Sequence, residues 1–241
     1  MKKKLFLPSL AALMLGAVLS PLAHADDVLW KLDFKDLAAG KPLTEVPYAM
    51  GCSGPQKVTV DADNTLLGVQ SLDSLSPALQ IDKNSTSHYM PAFTLKSTGA
   101  IAAGVITVKF DVAFDKMAPN AEHPVETLMA VPFLNGQGGT DFSLLIVAQN
   151  ANTLVLAGTG FAKAPAPFTF KLGEVAHIKV VLDLDKHTCQ AFLNDTAIAE
   201  PEHDDQKFGS FLGLTVRDGT ALGGNYGGTF TAALANLVVS H

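Results

Sequence analysis

The sequence predicts an all-β fold, an antiparallel β-sandwich, on three observations. Within residues 175–200, Ile178, Val180, Leu182 and Leu184 alternate with His177, Lys179, Asp183 and Asp185. That period of two is the mark of a half-buried strand. Asp185-Lys186-His187 then turns the chain, and Cys189, Ala191 and Leu193 alternate with Thr188, Gln190, Phe192 and Asn194 on the return, an antiparallel meander. Second, Ile106, Val108, Phe110, Val112 and Phe114 alternate with Thr107, Lys109, Asp111 and Ala113, the cleanest strand pattern in the chain. Third, roughly ten short runs of this kind are separated by turn residues, with no amphipathic helix longer than about two turns. One domain of two packed sheets is the architecture that such a chain builds.

The elements read in order. Val28, Trp30, Leu32 and Phe34 alternate with Leu29, Lys31 and Asp33, giving a first strand with Trp30 on its core face. Gly40-Lys41-Pro42 breaks it. Residues 43–68 are rich in Gly, Pro, Asp and Asn and read as loops around a short strand at 57–60. A strand is expected at 79–82, then a polar turn at 84–87, the clean strand at 106–114 and a loop with two prolines at 117–124. Residues 128–133 and 142–148 are apolar at successive positions, which suits strands inside a sheet covered on both faces. Asn135-Gly136-Gln137-Gly138-Gly139 supplies the turn between them. Residues 153–157 and 168–172 are further strands, and Asn194-Asp195 is a turn in which short side chains bond their own backbone. In the strand at 211–217, Leu212, Leu214 and Val216 are expected inward, with Thr215 and Arg217 outward. A glycine-rich loop spans 219–228, and 230–239 is the closing strand.

The first 25 residues read as an export signal. Lys2, Lys3 and Lys4 precede an apolar run, and Ala23-His24-Ala25 fits the small-x-small cleavage rule. Pro8, Pro21 and that site favour cleavage over a retained anchor. The expected product is soluble and secreted or periplasmic, a single domain over residues 26–241. No cysteine follows the cleavage site, so lipid attachment there is not expected. Removing the three leader lysines from 17 basic residues, against 23 acidic ones, takes the net charge from −6 to −9. An acidic chain with Arg217 as its one arginine is unsuited to nucleic acid or to an anionic membrane surface. The 48% hydrophobic and 17% charged content suits a well-filled core under a modestly charged surface.

Two cysteines, Cys52 and Cys189, would meet an oxidising compartment after export, and a disulfide between them is the expectation. Closing so long a loop stabilises by about 4–5 kcal/mol on the chain-entropy account. The alternative, Cys52 in Gly51-Cys52-Ser53-Gly54 as a nucleophile, lacks any surrounding signature.

Three segments carry a family likeness. The opening LWKLDFKDLAAGKPL resembles the first strand of concanavalin A-like jelly rolls. HIKVVLDLDKHTCQAFLND resembles the late hairpin of the laminin-G-like subgroup, and FTAALANLVVSH resembles the final strand that pairs beside the first. The superfamily includes lectins, carbohydrate-binding modules, glycoside hydrolases and polysaccharide lyases. The resemblance therefore implies a jelly roll and a glycan partner. Retaining hydrolysis needs two carboxyls about 5 Å apart across the sugar bond. Asp183-Leu184-Asp185 has no glutamate beside it, and the lyase pattern of Arg, His and Tyr on neighbouring strands is missing. Binding or a structural role is expected ahead of catalysis.

Asp183 and Asp185 share a strand face and could offer oxygens to calcium, which takes about six to eight; a solvated strand end before a turn is the plainer reading. His203-Asp204-Asp205 stands in the same position. No cofactor is expected. Sugar sites stack an aromatic ring on a pyranose face and add a few directed polar groups. Tyr89, near Pro91, and Tyr226, in Gly223-Gly224-Asn225-Tyr226-Gly227-Gly228, are candidates for the ring, or else pack at the sandwich end. Arg217 is the candidate fork for a carboxylate or a diol, or else a surface partner of Asp218. His177 and His123 read as surface residues without partners. Asn84-Ser85-Thr86 and Asn194-Asp195-Thr196 match the glycosylation pattern, which carries little weight behind a leader that reads as bacterial. The first expectation is an exported, non-catalytic sandwich that binds a glycan or another extracellular polymer through Tyr89, Arg217 and Tyr226. A hydrolase or lyase without a familiar motif, or an interaction domain without a small ligand, are the alternatives.

Overall fold

The computed structural model describes residues 27–32, 34, 37–46, 56–58, 64–70, 75–84, 92–122, 125–159, 168–218 and 228–241. The leader, His123, Cys52, Tyr89 and Tyr226 lie outside them. The described strands, in chain order, are β1 (Val28–Leu32), β2 (Glu45–Val46), β3 (Gln56–Lys57), β4 (Asn64–Gln70), β5 (Ala78–Lys83), β6 (Phe93–Ile101), β7 (Val105–Ala118), β8 (Glu126–Leu134) and β9 (Thr140–Asn150). They continue with β10 (Thr153–Thr159), β11 (Phe168–Lys171), β12 (Ala176–Asp183), β13 (Thr188–Leu193), β14 (Thr196–Ala197), β15 (Glu202–His203), β16 (Phe211–Asp218) and β17 (Thr229–Ser240). The fold is an all-β antiparallel jelly-roll sandwich. The larger sheet runs β14-β13-β12-β7-β17-β5-β4, with β1 also on β17 and β15 on β13. The smaller runs β11-β10-β9-β8-β16-β6. Among the described residues, no helix is long and apolar enough to cross a membrane.

Period-two patterning builds both sheets. Ile106, Val108, Phe110 and Val112 of β7 point between the sheets, as do Ile178, Val180 and Leu182 of β12. From the other sheet come Leu95, Val131, Phe133, Phe142, Leu144, Leu154 and Leu214. Trp30 and Phe211 join the two layers, their ring centroids 5.5 Å apart, and Phe133 stacks on Phe142 at 5.2 Å. Each such buried ring or aliphatic chain is worth about 1.5–3 kcal/mol against exposure. β8 is buried on both faces from Leu128 to Phe133, and it holds a central place in its sheet.

Several strands depart from the sequence reading, β4 and β6 the longest of them. β4 forms where loop was expected, because pairing with β5 supplies its ladder and Leu66 reaches the core. β6 pairs with β16, although its polar second half, Lys96-Ser97-Thr98-Gly99, breaks the alternation after Phe93 and Leu95. At the hairpin from β13 to β14, Asn194 and Asp195 have φ of 49° and 63°. Two left-handed residues at a two-residue loop match the twist of the flanking strands, and Asn and Asp tolerate that conformation best after glycine.

Cys189 lies on the inward side of β13, 1% exposed, and burial pushes its thiol pKa up. Cys52 lies outside the described residues, so the disulfide stays an expectation. Native protein should leave Cys189 unreactive to a thiol reagent. Denatured without reductant, the chain should stay silent if the two cysteines are bridged and titrate if they are free.

The turn after β12 is held by its own aspartates. Asp183 accepts a hydrogen bond from the Lys186 amide at 3.0 Å and pairs with its Nζ at 2.6 Å. Asp185 accepts from the Gly104 amide at 3.1 Å. The Lys186 side-chain hydrogen bond holds the Asp183 carboxyl below the ordinary carboxylate range. A carboxyl depressed by folding stabilises above its unfolded pKa, near 3.9, and that contribution fades as pH falls through the lower folded value. Asp183→Asn should lower the thermal midpoint at pH 7 by about 1–3 °C, and the gap to wild type should close in more acid solution.

Gly213 sits where β16 runs against β6. A Cβ there would collide with the backbone carbonyl of Leu95, and backbone cannot swing aside. Gly213→Ala should cost about 1–3 kcal/mol in denaturant unfolding, with a higher cost if β6 detaches.

Candidate functional site

Arg217 lies near the end of β16. Leu214 and Val216 point into the core, so alternation turns Arg217 to the outer face of the smaller sheet. Its cross-strand neighbour on β8 is Ala130, followed across the sheet by Leu145 and Ala157. Ala130 is fully buried, and Leu145 and Ala157 are half-buried. Thr215 and Thr94 share a hydroxyl–hydroxyl hydrogen bond of 2.8 Å one row further in. Leu212, expected inward, is half-buried, because the register shifts between Phe211 and Gly213.

The Nε of Arg217 is buried and has no hydrogen-bond partner among the described residues. A buried donor left unpaired costs about 1–3 kcal/mol. Lys96 of β6 and Lys171 of β11 are exposed, and alternation against Leu95 and Phe170 sets both on this same face. Asp141, at the opposite end of β9, is committed: its two oxygens accept from Asn135 Nδ2 at 2.6 Å and from the Phe208 amide at 3.2 Å. Lys96 stands opposite Gly213, four residues along β16 from Arg217, and Lys171 is on β11 at the far edge of the sheet.

The topology brings three chain ends together. Phe93 pairs with Val216, so β6 is entered where β16 is left. Tyr89 and Tyr226 lie outside the described residues. Glu126 opens β8 at the same end, pairs with inward Ala148 and is buried. It accepts a hydrogen bond from the Asn120 amide at 3.3 Å, and Gly228 packs so closely that any Cβ would strike its carboxyl. Nothing in the sequence marks this residue, because a lone Glu before an apolar strand looks like a solvated strand start.

The remaining candidates are scattered. Asp183 and Asp185 spend oxygens on Lys186 and Gly104, and Asp204 pairs with Lys207 at 2.8 Å while Asp205 faces His203 at 3.2 Å. Among the described residues, no three His, Cys, Asp or Glu side chains gather as a metal would need. His177 is exposed as expected, but it does have a partner: its Nδ1 lies 2.7 Å from Asp111 Oδ1. The sequence showed both residues outward on their strands. Only the register of β12 against β7, His177 opposite Asp111, joins them.

No protein-family model matches the chain, and no curated protein matches it. Solved structures do. A sialidase superposes with a TM-score of 0.54 and 12% identity over 77% of this chain, which spans 17% of the sialidase's length. The marine PL7 alginate lyase AlyA1 from Zobellia galactanivorans superposes with a TM-score of 0.52 and 14% identity, over 90% of this chain and 96% of the lyase. At these identities the likeness is one of fold, and that fold is the jelly-roll β-sandwich.

Proposed function

We propose that the protein is an exported, non-catalytic β-sandwich of the concanavalin A-like, laminin-G-like kind that binds an acidic glycan on the outer face of its smaller sheet. The observation that carries this reading is the Nε of Arg217, buried and without a hydrogen-bond partner among the described residues, on a face that also bears Lys96 and Lys171. A guanidinium needs an acceptor in plane with its fork, and a uronate carboxylate offers two oxygens at that spacing. Leu145 and Ala157, half-buried on that face, suit the flat side of a pyranose. Tyr89 and Tyr226, outside the described residues, are the candidates for stacking rings. The alginate lyase and sialidase add an analogy of fold, which by itself specifies no chemistry.

Binding ahead of turnover is the reading because the sequence carries neither the paired carboxylates of retaining glycosidases nor the lyase pattern of Arg, His and Tyr on neighbouring strands. The test is a pull-down and titration with polyuronate and with a neutral glucan, followed by an assay for unsaturated and reducing ends. Polyuronate should bind and stay intact. Arg217→Ala should weaken it by about 10–100-fold, and Arg217→Lys should restore little, since an ammonium cannot make the paired contact. Cleavage of the polymer would make the protein an enzyme. Binding indifferent to Arg217 would move the site elsewhere.

A further inference from the structure

The opposite surface of the sandwich carries a second polar site. On the outer face of the larger sheet, a cleft of about 300 Å³ lies between β12, β7, β17 and the Asn194-Asp195 turn. Lys109 of β7 and Lys179 of β12 face each other as direct cross-strand partners on its wall. Like charges at that spacing weaken a sheet unless something neutralises them. Lys109 has no ion pair or hydrogen bond among the described residues. Lys179 lies over the Phe192 ring, 4.1 Å from its centroid, and reaches Asp195 only at 3.8 Å. The Asp195 side chain is 94% exposed, so that contact neutralises little.

The carboxylate best placed to compensate the lysines is engaged elsewhere. Asp111 follows Lys109 on the same face of β7. Its Oδ1 accepts from His177 Nδ1 at 2.7 Å, and its Oδ2 accepts from Asn236 Nδ2 at 2.6 Å. Asn236 reaches it through a bulge: Ala235 pairs with Asp111 and Val238 with Lys109, so β17 spends one more residue than β7 between those pairs. Asn236 takes up the slack with φ of 52°. The core does not need this extra residue. Without Asn236, Leu237 and Val239 would continue the inward alternation of Phe230, Ala232 and Leu234 unbroken. The bulge serves the outer face, where it aims an amide at Asp111, as bulges beside functional sites re-aim side chains.

We propose that this cleft is an oxyanion-binding site in which Lys109 and Lys179 hold a sulfate, phosphate or carboxylate group between them. His177 borders the group, while Asp111 is held back from the lysines by His177 and Asn236. Asp195 is the remaining charged group at the rim. The anion can be free in solution or carried on an acidic polymer. The site shares no residue with the Arg217 face and stands whether or not that face binds a glycan.

The test is an NMR titration of the purified protein at constant ionic strength, with sodium sulfate, sodium phosphate, a sulfated oligosaccharide and a uronate oligosaccharide as separate probes. The His177 ring signals and the dissociation constant are read. A saturable shift at His177 is expected, weakened at least about tenfold in Lys109→Gln/Lys179→Gln and unchanged in Arg217→Ala. The double variant removes a like-charge contact and a cation–π contact of Lys179 with Phe192, which oppose each other, so its thermal midpoint should stay within about 3 °C of wild type. Saturation by the inorganic anions alone identifies a free ligand, and saturation by an oligosaccharide alone identifies a polymer. No saturable shift with any probe, or equal affinity in the double variant, overturns the proposal.

Discussion

Packing of the two sheets through Trp30, Phe133, Phe142 and Phe211 fixes which side chains every strand shows to the outside. Interiors are close-packed, so a strand that presents Leu214 and Val216 inward must present Thr215 and Arg217 outward. The same constraint acts on β7 and β12. Their inward Phe110 and Ile178 commit Asp111 and His177 to the opposite surface. The two polar sites are thus a by-product of core parity, set back to back with the full thickness of the sandwich between them. Sheets pack about 10 Å apart, so groups bound at the two sites would not touch.

Charge follows the same division. The chain is acidic in total, yet Arg217, Lys96 and Lys171 are spread over one outer face while Lys109 and Lys179 meet on the other. Many of its described acids are occupied locally: Asp183 by Lys186, Asp204 by Lys207, Asp141 by Asn135 and Phe208, Asp111 by His177 and Asn236. Net charge therefore misstates what a ligand meets. Long-range repulsion of polyanions is expected from the total, and short-range attraction from the two faces, with the balance shifting toward attraction as salt shortens the screening length.

How much of this could be read from the chain depended on whether the information was local. The meander of β12 and β13, the clean alternation of β7 and the double-sided burial of β8 were legible, because a strand's own sequence carries its period. β4 was not, since its turn-rich composition is overruled by pairing with β5. Arg217 could be assigned its face, because Leu214 and Val216 lie beside it. The Asp111, His177 and Asn236 cluster was invisible, as it joins three strands through register and a bulge that no single strand encodes. The inward place of Cys189 on β13 follows from its own alternation with Thr188 and Gln190, whereas its pairing with Cys52 depends on residues outside the described ones.

The place of β17 in the larger sheet has a kinetic side. It pairs with β7 along one edge and with β5 and β1 along the other, and Asp27 exchanges two backbone hydrogen bonds of 2.9 Å with His241. Strands β1, β5 and β7 therefore wait for a partner that emerges from the ribosome long after them. Until residues 229–240 are available, the sheet cannot close, and the chain behind them stays open and threadable. Such distant pairing slows folding, a delay that would favour threading through a translocation pore under the export proposed above. The same arrangement exposes unpaired edges for as long as the last strand is missing, so a truncated chain is expected to associate with its own kind through β7 and β5.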